Sequence, residues 1–242
     1  MLILYESASL LAVGKTEFVR VEAGAGGGES LEGMARDFLA QRAAQEPASP
    51  LGEGSLAAEE ARPFLGLVHR IDQPVTGVVL FAKTKAALSH LNGEFSSRRA
   101  KKLYWAVTIS PPPEERGSLS HFIVFDSKKN KARAFEKERP GAKAALLHYR
   151  LMGKSDRYFF VEVELVTGRP HQIRAQFAAA GCPVKGDLKY GSPRSNPGGG
   201  IHLHARELSF REPEGGKALT VTASPPADVL WNMFSSCTTL EG

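Results

Sequence analysis

The sequence predicts an α+β fold: a mixed, mostly antiparallel sheet with a few helices and loops set around it. Three observations predict it. Short apolar or alternating runs recur at 2–5, 10–14, 78–82, 102–109, 118–125, 131–136, 143–152, 158–166, 201–210 and 218–223. Helical periodicity interrupts them only near 30–42, 84–98, 169–180 and 227–234. Most strands therefore follow one another directly, which argues against repeated βαβ units.

The first two strands turn at Ser7-Ala8-Ser9, and the glycine-rich stretch from Gly24 to Gly28 then breaks the chain. That stretch is a flexible turn and not a dinucleotide fingerprint, because Glu29 stands where the third glycine belongs and no buried strand runs into it. Ser30 caps a helix to about Arg42, with Leu31, Met34, Ala35, Phe38 and Leu39 on one face. Residues 45–63 are rich in Pro, Gly, Ser, Ala and Glu and read as a mobile surface loop. Val78-Val79-Leu80-Phe81-Ala82 is apolar throughout, as a strand covered on both faces would be.

A helix follows from Thr84 to about Arg98, and the next strand stops at Pro111-Pro112-Pro113. After four more strand-like stretches, Arg169-Pro170 opens a short helix, with proline in its tolerated first turn, that ends at Gly181-Cys182-Pro183. Pro197-Gly198-Gly199-Gly200 is a second flexible turn before the last two strands and the closing helix. No internal repeat appears.

Length and composition suit one domain over residues 1–242. No apolar run is long enough to cross a membrane, and the first residues lack the basic flank and long apolar stretch of a signal peptide. Two cysteines, Cys182 and Cys237, build no disulfide framework, so a cytoplasmic setting is expected. The formal charge is +5. Its placement says more than its size: Arg98, Arg99, Lys101 and Lys102 cluster, as do Lys128, Lys129, Lys131 and Arg133. Such clusters suit phosphates, although solvated faces carry them as well.

Reactive side chains sit beside apolar runs in three places: His69-Arg70-Ile71-Asp72, Lys102-Leu103-Tyr104, and Thr167-Gly168-Arg169-Pro170-His171-Gln172-Ile173-Arg174 with Gly186-Asp187-Leu188-Lys189-Tyr190-Gly191 beyond. If these converge, they supply a carboxylate, a phenol and several guanidinium groups within apolar walls. An arginine against a buried carboxylate keeps it ionised, and an ionised, held carboxylate can be a nucleophile or an electrostatic stabiliser. One prominent acid fits a two-carboxylate glycosidase poorly. The residues alone reach a basic α+β protein, with nucleic acid as one candidate substrate.

Those segments, with Val75-Thr76-Gly77 and Ala82-Lys83, occur in the order and spacing of the RluA-type RNA pseudouridine synthases, and the chain resembles that family from about residue 65 to 210. The resemblance implies the pseudouridine synthase fold around an RNA-binding cleft, and a monomeric enzyme that turns uridine of rRNA or tRNA into pseudouridine. It implies RNA as partner and no cofactor, metal, membrane or obligatory protein partner. Asp72 would be the nucleophile after base flipping, Tyr104 would stack on the base near its C5 proton, and Arg174 would hold Asp72 ionised. Arg70 would replace the flipped base in the stack, Ile173 would wall the pocket, and His69, Arg169 and Thr76 would complete the substrate contacts. Asp187 and Tyr190 would brace the site, and His171 would fix a loop.

The sequence departs from the family at Val75-Thr76, where Thr-Ser is commoner, and at Gly14-Lys15-Thr16, where Lys-Pro is usual. Residues 1–63 match poorly, which puts RNA contacts from that part in question, and too few residues precede Asp72 for an S4-type RNA-binding module. His202 and His204 share a strand face as metal ligands might, but no third ligand stands at suitable spacing. Two rival readings are an inactive RNA-binding protein of this fold and a metal-dependent nucleic-acid hydrolase.

Overall fold

The computed structural model describes residues 1–24, 27–45 and 63–238. The loop expected over 45–63 falls almost wholly on residues 46–62, outside that set. Among the described residues the strands are β1 (Leu2–Glu6), β2 (Leu10–Lys15), β3 (Gly66–Leu67), β4 (Thr76–Ala82), β5 (Lys101–Thr108), β6 (Arg116–Asp126), β7 (Lys131–Phe135), β8 (Lys143–Lys154), β9 (Phe159–Leu165), β10 (Leu203–Arg211) and β11 (Ala218–Thr222). The helices are α1 (Leu31–Gln45), α2 (Lys85–Ser96), α3 (Gln172–Ala179) and α4 (Val229–Thr238), with a 3-10 turn at Leu188–Tyr190. None of them is long and apolar enough to cross a membrane.

The described strands form one sheet in the order β1-β2-β4-β10-β5-β9-β8-β6-β7, with β11 added to β10 and β3 to β4. Pairing is antiparallel except between β10 and β4, where His204 lies opposite Thr76 and Ala205 opposite Gly77. This is the mixed, mostly antiparallel sheet that the succession of strands implies.

Alternation along the central strands sends side chains to two faces. Leu11, Val13, Val79, Phe81, Ala106, Val161 and Val163 join Leu31, Ala35 and Leu39 of α1 and Ile173 and Phe177 of α3 in one core. Leu10, Ala12, Val78, Leu80 and Ala82 pack on the other face against Ala87 and Leu91 of α2. On that second face Trp105, Val107 and Phe160 meet Trp231 and Phe234 of α4. Covering on both faces is why β4 reads as one unbroken apolar run.

Two helix starts follow their side chains. Thr84 caps α2 by accepting from the Ala87 amide, and the Ser30 hydroxyl accepts from the Gly33 amide at the start of α1. Helix α1 runs about one turn past Arg42, to Gln45. Helix α3 corrects the expected start at Arg169-Pro170, because His171 takes a left-handed φ of 53° and leaves those residues in the preceding turn. That turn is tied by Gln172, whose Oε1 accepts from the Thr167 hydroxyl at 2.8 Å and the Arg169 amide at 3.0 Å.

Candidate active site

Asp72 stands on the tight turn between β3 and β4, closed by a hydrogen bond from the Val75 amide to the Asp72 carbonyl. Lys15, only 2% exposed at the end of β2, reaches across and donates to the carbonyls of Thr16, Gln73 and Val75 at 2.9, 2.8 and 2.7 Å. Burial pushes its ammonium down to about 8, and the Asp72 carboxylate acts the other way. Gly77 closes the other side of the turn. Its φ is +119°, and a Cβ there would collide with the Ala205 backbone of β10. Glycine at this place is a requirement of the parallel pairing.

The carboxylate opens into a cleft of about 580 Å³. Arg174 of α3 donates to Asp72 Oδ2 from Nη1 at 3.0 Å, and holds Asp187 from Nε and Nη2 at 2.7 and 2.9 Å. Its guanidinium also lies 4.8 Å from the centre of the Tyr190 ring. Burial opposes the charge on Arg174, and the Asp187 and Asp72 carboxylates overcome that opposition and raise its pKa. Asp187 is 1% exposed, so the guanidinium has a buried anchor on one side and a cleft-facing carboxylate on the other.

Tyr104 of β5 is 9% exposed, lines the cleft, and has no hydrogen-bond partner for its hydroxyl among the described residues. Burial, assisted by the Asp72 charge, raises its pKa, so the resting group is a neutral phenol offering a ring face and an O–H donor. Ile173, 4% exposed, also walls the cleft. Arg169 lines it while donating to the Ala144 carbonyl at 3.0 Å.

Arg70 stands at the mouth with its side chain 70% exposed, 3.3 Å from Glu22. Such an exposed pair is worth little and leaves the guanidinium available. His69 lines the cleft too, but its Nε2 accepts from the Leu80 amide and its ring stacks on Phe95. Burial lowers its pKa to about 3, so the ring is neutral.

Thr76 is a correction. The strand turns its hydroxyl to the opposite face, where it bonds His204 Nδ1 at 2.7 Å and borders a second cavity beside Trp231, away from Asp72. His204 Nε2 in turn donates to the Ala223 carbonyl, and His202 accepts from Asn196 Nδ2 and stacks on Trp231. These contacts give both histidines structural employment. Among the described residues no group of three or more His, Cys, Asp and Glu side chains is placed to hold a metal ion. Cys182 is fully buried and its thiol is raised to about 12 by desolvation, which makes it inert.

Two contributors escaped sequence reasoning. Lys15 left a readable signal, a lysine ending an apolar strand, which must find several acceptors once buried. Phe125 left none: it comes from the end of the β6–β7 hairpin and meets His171 edge-on with ring centres 5.5 Å apart. A profile described as RNA pseudouridylate synthase matches residues 37–179, well over half of the chain. The chain belongs to that family.

Within the family, a protein named uncharacterized RNA pseudouridine synthase from Chloroflexus aurantiacus is 35% identical over 175 residues, 70% of this chain and 52% of the relative. Ribosomal large subunit pseudouridine synthase D of Neisseria meningitidis is 32% identical over 178 residues, 69% of this chain and 47% of the relative. The chain spans about half the length of the curated relatives it matches. The solved structure of human RNA pseudouridylate synthase domain containing 4 superposes with a TM-score of 0.71 at 22% identity, covering 98% of this chain and 93% of that one. Human RNA pseudouridylate synthase domain containing 1 gives 0.63 at 24% identity, covering 98% and 86%. Both share the fold.

Proposed function

We propose that this family member isomerises uridine to pseudouridine in rRNA or tRNA, as a single catalytic domain that needs no cofactor. The observation that carries the reading is the Asp72 carboxylate, held 3.0 Å from Arg174 at an open cleft with Tyr104 on its wall. A uridine inside a helix cannot reach a carboxylate set in a cleft, so the base must leave its stack. Arg70, exposed at the mouth, takes the place the base leaves.

Asp72 then assists cleavage of the bond between C1′ and N1, and Arg174 keeps it ionised and oriented. The freed uracil turns against Tyr104 and bonds to C1′ through C5. N1 gains a proton and C5 loses one, so the product is an isomer of the reactant and no co-reactant is consumed. Arg169 in the cleft, and the exposed Lys128 and Lys129 of the β6–β7 hairpin, offer cations suited to a phosphodiester backbone.

The test is to map pseudouridines in total RNA from cells with and without the gene. One or more sites should vanish on deletion, return with the wild-type gene, and stay absent with Asp72→Asn. Full restoration by Asp72→Asn would remove Asp72 from the chemistry.

A further inference from the structure

His171 occupies a strained position for reasons the fold alone does not supply. It is 9% exposed, opens α3 with a φ of 53°, and makes no side-chain cap to that helix. A non-glycine residue in this conformation is uncommon, and asparagine tolerates it better than histidine does. Both ring nitrogens are directed. Nδ1 lies 2.8 Å from the Tyr190 hydroxyl, and Nε2 lies 3.8 Å from Asp72 Oδ2.

The network favours one placement of the proton. The Ala132 amide of β7 donates to the Tyr190 oxygen at 2.7 Å, so the single phenolic hydrogen is free to donate to His171 Nδ1. Nδ1 then accepts, and a neutral imidazole carries its hydrogen on Nε2, toward Asp72. Burial, the largest influence, lowers the His171 pKa and keeps the ring neutral. Arg174 Nη1 bonds the same carboxylate oxygen, and among the described residues no donor bonds Oδ1.

The geometry points to His171 as a positioning residue for Asp72: its Nε2–H, set there by Tyr190, steadies the carboxylate through Oδ2 and leaves Oδ1 to the substrate. This rests on the reading of Asp72 as the nucleophile. The charged and titratable groups facing the pair are Arg174 from α3, Tyr104 from β5, Lys15 from β2, and Asp187, Lys189 and Tyr190 from the 3-10 segment. Among the described residues Arg174 alone hydrogen-bonds Asp72 Oδ2, and His171 Nε2 stands just outside that reach at 3.8 Å.

Two variants separate positioning from folding. His171→Asn suits the left-handed backbone and keeps a polar group near Nδ1, but has nothing at Nε2. His171→Gln can return an N–H near the Nε2 position. Nitrogen-15 NMR of the full chain should show the neutral Nε2–H form at pH 7.

With RNA from cells lacking the gene as substrate, His171→Asn should lose about 10-fold in kcat at pH 7 with KM unchanged. His171→Gln should recover most of the loss. An Nδ1–H tautomer, or a folded His171→Asn that keeps the wild-type kcat, would overturn the positioning role. A wild type that modifies no RNA but shows the Nε2–H tautomer would sink the functional reading and leave the proton placement intact.

Discussion

Arg174 is bound more completely by Asp187 than by Asp72: two hydrogen bonds at 2.7 and 2.9 Å against one at 3.0 Å. The two carboxylates therefore do different work on one guanidinium. Asp187→Asn removes the charge that compensates a buried cation, and should cost about 3–5 kcal/mol in chemical denaturation. Asp72→Asn leaves that compensation in place at a partly exposed pair, so it should cost about 1 kcal/mol or less while abolishing pseudouridine formation. Equal destabilisation by the two changes would contradict the division.

The β4–β10 junction gives a sharper stability prediction. Gly77→Ala sets a side chain at φ +119° against the Ala205 backbone, where neither can yield without parting the parallel strands. A loss of about 3 kcal/mol or more is expected, read as a lower urea midpoint. A variant as stable as wild type would show that the pairing tolerates a Cβ there.

Lys15 makes stability depend on pH in a definite direction. Its folded pKa of about 8 lies below the ordinary value of 10.5, so between those limits the unfolded chain holds more protons than the folded one. The burial penalty is present in full below about pH 8, and is relieved as pH rises toward 10.5, by roughly 1.4 kcal/mol per unit at most. The difference in unfolding free energy between wild type and Lys15→Met should therefore grow with pH across that window. At neutral pH the same variant, lacking three ties to the Asp72 turn, should lose on the order of 10²-fold in kcat. A difference that is flat with pH would mean that Lys15 is not the charged clamp.

The basic hairpin predicts how RNA affinity responds to salt. Lys128 and Lys129 are exposed at the turn between β6 and β7, beside the cleft-lining Phe125. Replacing both by alanine should lower the slope of log K against log salt by roughly 1.4–1.8 and weaken all RNAs alike. An unchanged slope would place the RNA path elsewhere.

Much of this site was legible because each motif carries its own physical demand. Asp72 and Arg174 announce each other as charges beside apolar runs, whereas the backbone demand at Gly77 shows only with β10 in place beside it. Thr76 misled because a strand turns neighbouring residues to opposite faces, so membership in a motif did not imply membership in the cleft. Pro170 misled at α3, where its fitness for a helix start was overridden by a left-handed histidine that nothing local requires. The Tyr190–Ala132 bond joins residues 58 apart in the chain and the Phe125–His171 contact joins β6 to the start of α3, separations no local pattern spans.

Strand β10 lies between β4 and β5 in the sheet, yet follows both by about a hundred residues in the chain. On a ribosome, β4 and β5 therefore emerge with facing edges open, and stay so until residues 203–211 arrive to fill the gap. The Asp72 turn and Tyr104 acquire their spacing only then. A nascent chain halted before that strand would hold Asp72, Tyr104 and Arg174 and still have no site.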